Sequence, residues 1–263
     1  MNAGVRFERQ EGVAQVTLSH AGKFNAMSRT MWRELRAVFE SIQRDESLRC
    51  VVIQGEQGHF CAGGDIAEYP DFRFSESGLR EFHEQDVWGG LQAVRDCDVP
   101  IVARIEGNCM GAGVEIASCC DIRIAGESAR FGAPIARLGF PMAPREAALV
   151  MGQLGAQLTR EMLLEAAVFG APQMLARGFL NRVVADAALA DEAMTSAARI
   201  AALSPQAARL NKRTVRFLQN QAQPILGAAE PDEASLPQAY AYADSAQHRE
   251  GVAAFLEKRK PAF

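Results

Sequence analysis

Apolar and polar positions change their period several times along this chain, and the changes mark its elements. VAQVTL at 13–18 is short, β-rich and half alternating, which predicts a strand. HAGKFNAM follows as a loop. Ser28 then stands ahead of a segment whose apolar residues Met31, Leu35, Val38, Phe39 and Ile42 keep a 3.6-residue period, which predicts a helix. CVVIQG (50–55), IVARIEG (101–107) and DIRIA (121–125) read as buried strands. The strands at 50 and 101 each run into a glycine-bearing turn and then helix-like sequence, an α/β order. Residues 145–168 read as helix. From 186 onward the chain reads as almost entirely helical, broken by Ser204-Pro205, by GAAEPDE (227–233) and by Pro237. In the closing segment HREGVAAFLEKRK, Val252, Phe255, Leu256 and Arg259 share one helical face. Residues 1–200 are therefore expected to form a βα core and 201–263 a helical region, with AEPDE as the linker candidate.

Composition narrows the class of protein. The 263 residues are 48% apolar and 23% charged, enough to bury a core without disulfides or structural metal. A net charge of −4 with scattered Lys and Arg offers no broad basic face for nucleic acid. There is no run of about 18 apolar residues for a membrane span, and the N-terminus has no basic region followed by an apolar run. The six cysteines include no CxxC pair, and Cys119 and Cys120 are adjacent, which suits neither a zinc site nor a disulfide framework. A reducing, cytoplasmic setting is the expectation.

The candidate chemistry lies in the two glycine turns, HFCAGGDIAEY at 59–69 and EGNCMGAGVEIASCCDIRIA at 106–125. In the second, a strand ends near Ile105 and a helix starts near Ala112. The first N–H groups of a helix have no internal partner, and small residues at 111–113 let a carbonyl approach them. Glu115 is one turn further on. One N–H aimed at an oxygen plus one carboxylate is a kit for moving a proton beside a polarised carbonyl. The alternative for Glu115 is a first-turn glutamate favoured by capping and the helix dipole. In the first turn, the N–H of Gly64 is a second donor candidate, and the alternative is a tight turn with Asp65 as N-cap. Together the two turns read as an oxyanion hole.

These segments closely resemble the two signatures of the enoyl-CoA hydratase/isomerase, or crotonase, family. HAGKFNAM, ARFGAPIARLGF, SPQAARLNKR and EGVAAFLEKRKPAF extend the resemblance over nearly the whole chain. It implies a spiral of ββα turns with C-terminal helices that trimerise, as a homotrimer or a homohexamer. It implies that Gly64 and Ala112 donate to the thioester oxygen of an acyl-CoA and that Glu115 handles water or a substrate proton. Ala62, Asp65 and Ile66, with Lys23, Phe24 and Ala26 opposite, would hold the coenzyme A part of the substrate. No other cofactor and no metal is implied. Ile135 stands where the family's hydratases usually carry a second glutamate, and Ala143 where other members place a further carboxylate.

Three accounts of a lone Glu115 follow. It performs both proton transfers, or another residue stands in, or the chemistry is a one-base isomerisation or decarboxylation. Glu146 is the nearest stand-in but is read first as a capping-turn glutamate. Reversible hydration of a 2-enoyl-CoA is the leading expectation, and an acyl-CoA binding protein without catalysis is the alternative from another class. His59 and His83 have no partner at motif spacing and are read as solvent-facing or merely satisfied. Cys61 and Cys109 are read as packing residues. Residues 69–78 are either a wall of the acyl site or a surface loop. Lys258, Arg259 and Lys260 either meet coenzyme A phosphates or cap a solvated helix end.

Overall fold

A computed structural model describes residues 3–222 together with positions 246, 250, 254, 257–259 and 262. Among the described residues, the chain begins with an antiparallel pair, β1 (Gly4–Gln10) and β2 (Val13–Ser19). The sheet then continues in parallel through β3 (Cys50–Gly55), β4 (Ile101–Ile105), β6 (Ile122–Gly126) and β9 (Arg182–Val184). A smaller sheet holds β5 (Asn108–Met110) between the connections, paired with β7 (Arg130–Gly132), which pairs in turn with β8 (Val168–Gly170). The pairs β4–β5 and β6–β7 thus each place one strand in the large sheet and the next in the small one before a helix. This is the strand–strand–helix spiral the resemblance implies.

Of the predicted helices, α1 (Arg29–Arg44) begins where expected, because Ser28 Oγ accepts the Met31 N–H at 3.1 Å and satisfies a free donor of the first turn. Its buried face is Met31, Trp32, Leu35, Phe39 and Ile42, while Val38 is only half-buried. After β3 come a 3₁₀ turn (Ile66–Asp71), α2 (Glu76–Glu81), a π-helical turn (Phe82–Val87) and α3 (Trp88–Asp96). Next in line are α4 (Ala112–Ser118), a 3₁₀ turn (Pro134–Leu138) and α5 (Pro144–Leu164). α6 (Ala171–Ala176), α7 (Leu189–Ala201) and α8 (Pro205–Ala222) complete the described elements.

The helix read over 145–168 therefore ends sooner. Glu165 caps it, and Val168 belongs to β8, where pairing with β7 overrides local propensity. β7 falls in ARFGAPIARLGF, whereas β1, β5, β8 and β9 are not among the expected strands, although Val5 and Phe7 alternate with polar residues in β1. The break at Ser204-Pro205 falls where α7 gives way to α8. α8 is fastened to the core: Lys212 donates to Val99 O at 3.0 Å and pairs with Asp121 at 2.7 Å, and Arg216 pairs with Asp98 at 2.7 Å. The linker AEPDE, Pro237 and most of the closing helix lie outside the described residues.

One continuous apolar core fills the space between the large sheet and helices α1, α3, α4 and α5. All six cysteines are free and buried. Burial pushes the Cys61 thiol up to about 12 and Cys109 well above its ordinary value, so both are packing groups, not nucleophiles. No described helix is long and apolar enough to cross a membrane.

Candidate active site

The two glycine turns meet. A parallel bridge joins Cys61 to Cys109, with the Cys61 N–H donating to Asn108 O at 2.9 Å and the Met110 N–H donating to Cys61 O at 2.8 Å. On the other side, Met27 donates to Gly63 O and accepts from the Asp65 N–H, each at 2.8 Å. The peptides flanking Gly64 are thus fixed, while its own N–H has no acceptor among the described residues. Ala112 is the first residue of α4, so its N–H has no acceptor one turn earlier.

Glycine is required at two points of this contact. Gly111 turns the chain into α4 at φ 47° and ψ −109°, a conformation that L side chains avoid. At Gly113 a Cβ would lie 2.6 Å from the Cys61 carbonyl oxygen, so only glycine lets α4 press against the first turn. At Gly64 the neighbouring volume is already taken: a Cβ there would collide with the Tyr69 hydroxyl.

Glu115 follows in the same turn of α4 but does not behave as a helix-dipole glutamate, which would face solvent. The residue is 9% exposed, and no described residue hydrogen-bonds to its carboxyl. It lines a cavity of about 280 Å³ together with Ala62, Gly64, Ile66, Ala112 and Ile135. Burial, reinforced by the negative charge of Glu146, raises its pKa from 4.5 to about 8. Gly64 and Ala112, whose N–H groups have no acceptor among the described residues, therefore line the same cavity as a carboxyl whose pKa is raised to about 8. Val114 and Ile116 are packed into the core and take no part in the lining, whereas Ile135 does.

Two nearby polar groups, the expected capping-turn glutamate and the expected solvent-facing or satisfied histidine, meet one another. Glu146 does sit in the first turn of α5, yet it caps nothing: it is buried, and its Oε1 lies 2.9 Å from His83 Nδ1. His83 does not simply face solvent; it lines the Glu115 cavity from the π-helical turn. π-turns of this kind are frequent at functional sites. This one is tied down by buried Asp86, which accepts from Arg29 Nε at 2.6 Å and Arg33 Nε at 2.7 Å, both from α1. No periodicity signals His83, because a π-turn shifts its side chains off the helical register.

Of the remaining sequence candidates, Ala62 and Ile66 line this cavity, whereas Lys23, Phe24, Ala26 and Asp65 do not. Lys23 Nζ donates to Asp65 at 2.6 Å, and His20 Nε2 is 4.0 Å from the same carboxylate. Asp65 also caps the 3₁₀ turn, accepting from the Ala67 N–H at 3.3 Å. The Ala62 N–H donates to Phe24 O at 3.0 Å, and the exposed Phe24 ring packs edge-on against His59 with centroids 4.5 Å apart. Ala26 is buried behind them, and Ile66 is half exposed at the rim. Residues 69–78 are a wall of the cavity, through Tyr69 and Arg73. Burial pushes the Tyr69 phenol up to about 12. At the C-terminus, Lys258 is exposed, Arg259 pairs with Glu250 at 2.6 Å, and Lys260 lies outside the described residues. Among the described residues no group of three or more His, Cys, Asp or Glu side chains could hold a metal ion.

Comparison with known proteins identifies the family. A family model for enoyl-CoA hydratase/isomerase matches residues 8–263. A probable enoyl-CoA hydratase of Mycobacterium bovis is 30% identical over 258 residues, 97% of this chain and 96% of its own length. A probable enoyl-CoA hydratase of Rhizobium meliloti is 30% identical over 256 residues, with the same coverage of 97% and 96%. Among solved structures, an enoyl-CoA hydratase/carnithine racemase from Magnetospirillum magneticum superposes with a TM-score of 0.91 at 35% identity, covering 100% of this chain and 96% of that one.

Proposed function

The chain belongs to the enoyl-CoA hydratase/isomerase family, and from that premise we propose that it reversibly hydrates a 2-enoyl-CoA. The observation that carries this reading is the buried Glu115 carboxyl, poised near neutral pH in one cavity with the acceptor-free N–H groups of Gly64 and Ala112.

In the proposed step the thioester oxygen accepts from the Gly64 and Ala112 N–H groups. Water adds to the β-carbon, and the C=C electron pair moves toward the α-carbon and the thioester oxygen. The growing negative charge falls on the oxygen that the two amides hold; fixed donors of this kind are worth about 3–4 kcal/mol apiece. Protonated Glu115 delivers its proton to the α-carbon. The water's proton goes to Nε2 of His83, whose Nδ1–H is held by Glu146, and returns through solvent to Glu115. The dyad thus takes the place of the second glutamate that Ile135 removes. A single glutamate need not do both transfers.

The test is Glu115→Gln, assayed by loss of enoyl-thioester absorbance with crotonyl-CoA and longer enoyl esters. Turnover should fall on the order of 100-fold or more with acyl-CoA binding nearly intact. A Gln variant as active as the wild type would end the assignment.

A further inference from the structure

The wall of the cavity carries a charge that the proposed reaction does not use. Arg73 lines the Glu115 cavity and also an adjoining basin of about 820 Å³, so a chain leaving the reaction centre in that direction passes its guanidinium. The guanidinium lies 3.8 Å from the Phe140 ring centroid and 4.7 Å from that of Tyr69. Its Nη1 is buried with no hydrogen-bond partner, and no carboxylate among the described residues pairs with the side chain. The carboxylates that line the basin are committed elsewhere, Glu76 to Arg80 at 3.0 Å and Glu84 to Arg145 at 3.5 Å. No ion pair among the described residues joins it to Glu115 either.

A partly buried cation without an anion is costly, and burial lowers the pKa of Arg73 for that reason. The two aromatic faces hold the guanidinium in place but cannot accept hydrogen bonds from its edge. Ile66, Leu138, Phe140 and Met142 make the surrounding walls apolar, which suits a hydrocarbon chain with an anionic end.

We propose that Arg73 is a specificity residue for the acyl group, forming a paired hydrogen bond with a carboxylate at the far end of the acyl chain, so that the preferred substrates are ω-carboxy-2-enoyl-CoA esters. This rests on the hydratase reading for its kinetic arm, and a binding arm stands without it.

The experiment compares 2-enoyl-CoA esters of six, eight and ten carbons with their ω-carboxylate counterparts, in wild type, Arg73→Met and Arg73→Lys. The wild type should favour at least one carboxylate ester over its neutral partner. Arg73→Met should lower kcat/KM for that ester on the order of 10- to 100-fold and leave the neutral ester within about threefold. Arg73→Lys should recover part of the loss. Saturated esters of the same two kinds, titrated by calorimetry, report the same preference in Kd even if no ester is hydrated, which separates failure of this inference from failure of the hydratase reading. Equal losses on both esters would place the anion on the coenzyme, or the role in folding, and overturn the proposal. A wild type without preference for any carboxylate ester overturns it too, whether or not the Met variant folds.

Discussion

Glu115→Gln should stabilise the protein, and by an amount that grows with pH. The unfolded chain titrates this carboxyl near 4.5, whereas in the folded cavity it titrates near 8. Between those values the folded state keeps a proton that the unfolded state has released. The number of bound protons is then larger in the native state, so unfolding free energy falls as pH rises. The slope approaches about 1.4 kcal/mol per pH unit, and over the whole span the loss is on the order of 5 kcal/mol. Below pH 4.5 both states are neutral and the effect is absent; above pH 8 it is complete. A glutamine has the same shape and never ionises. Urea unfolding of wild type and variant at pH 5 and pH 9, at one protein concentration, measures the difference directly. The gap in favour of Gln should widen by several kcal/mol between the two conditions. Two stability profiles running parallel from pH 5 to 9 would mean that the carboxyl is solvated in the native state, and the account of its burial would be wrong.

Other perturbations separate the parts of the site. Glu146→Gln removes the charge that helps raise Glu115, so the alkaline limb of the pH–rate profile, where the acid is lost, should move toward lower pH. An unmoved limb would show that the two carboxyls do not sense each other. His83→Asn should cost on the order of 100-fold in kcat for hydration. In the same variant, exchange of α-protons of a saturated acyl-CoA in heavy water should be little changed, because Glu115 alone performs it. Gly113→Ala places a methyl 2.6 Å from the Cys61 carbonyl oxygen and should destabilise by about 1–3 kcal/mol, read as a lowered urea midpoint. Gly64→Ala should displace Tyr69 and lower kcat/KM with a smaller loss of stability; a variant that unfolds without losing activity when folded would refute the placement of that amide.

The backbone part of the site was legible because it depends on residue types with unusual conformational demands. Gly111 and Gly113 stand out in a strand-to-helix passage, and each is needed there for a physical reason, a backbone turn in one case and a close approach in the other. FCAGG was read correctly as a turn brought to the same place, but its reason differs in part: at Gly64 the bare position makes room for Tyr69. The side-chain part was less legible. Glu146 precedes the buried pair Leu149 and Val150 at helical spacing, so its place on an apolar face was readable, yet a glutamate after Pro144 equally fits a first turn. His83 and Arg73 lie in a segment whose 3₁₀, α and π turns follow one another within twenty-odd residues. No single period holds there, and nothing in the one-dimensional pattern tells which side chains turn inward. The short strands were missed for a related reason. Three-residue strands such as β5 and β8 are defined by their partners, and their own sequence is too brief to alternate.

In the proposed mechanism the acid at position 146 acts in place of one at position 135, and this limits what a restored carboxylate at 135 could do. A carboxylate at 135 would line the cavity directly, beside Glu115, as the isoleucine there now does. Glu146 instead stands behind His83, so its charge raises the Glu115 pKa while its oxygen is already occupied by the imidazole. In the proposed mechanism electrostatic coupling and proton transfer are thereby divided between two residues: the carboxylate raises the acid's pKa from behind, and the imidazole, which lines the cavity, takes the proton. Restoring a glutamate at 135 would not recreate a two-glutamate site under these conditions, because three acids would share one desolvated space. Ile135→Glu should therefore push Glu115 further up and reduce activity at neutral pH instead of increasing it. An Ile135→Glu variant with faster hydration at pH 7 and an unshifted profile would contradict this division of roles, and would return the second acid to the cavity itself.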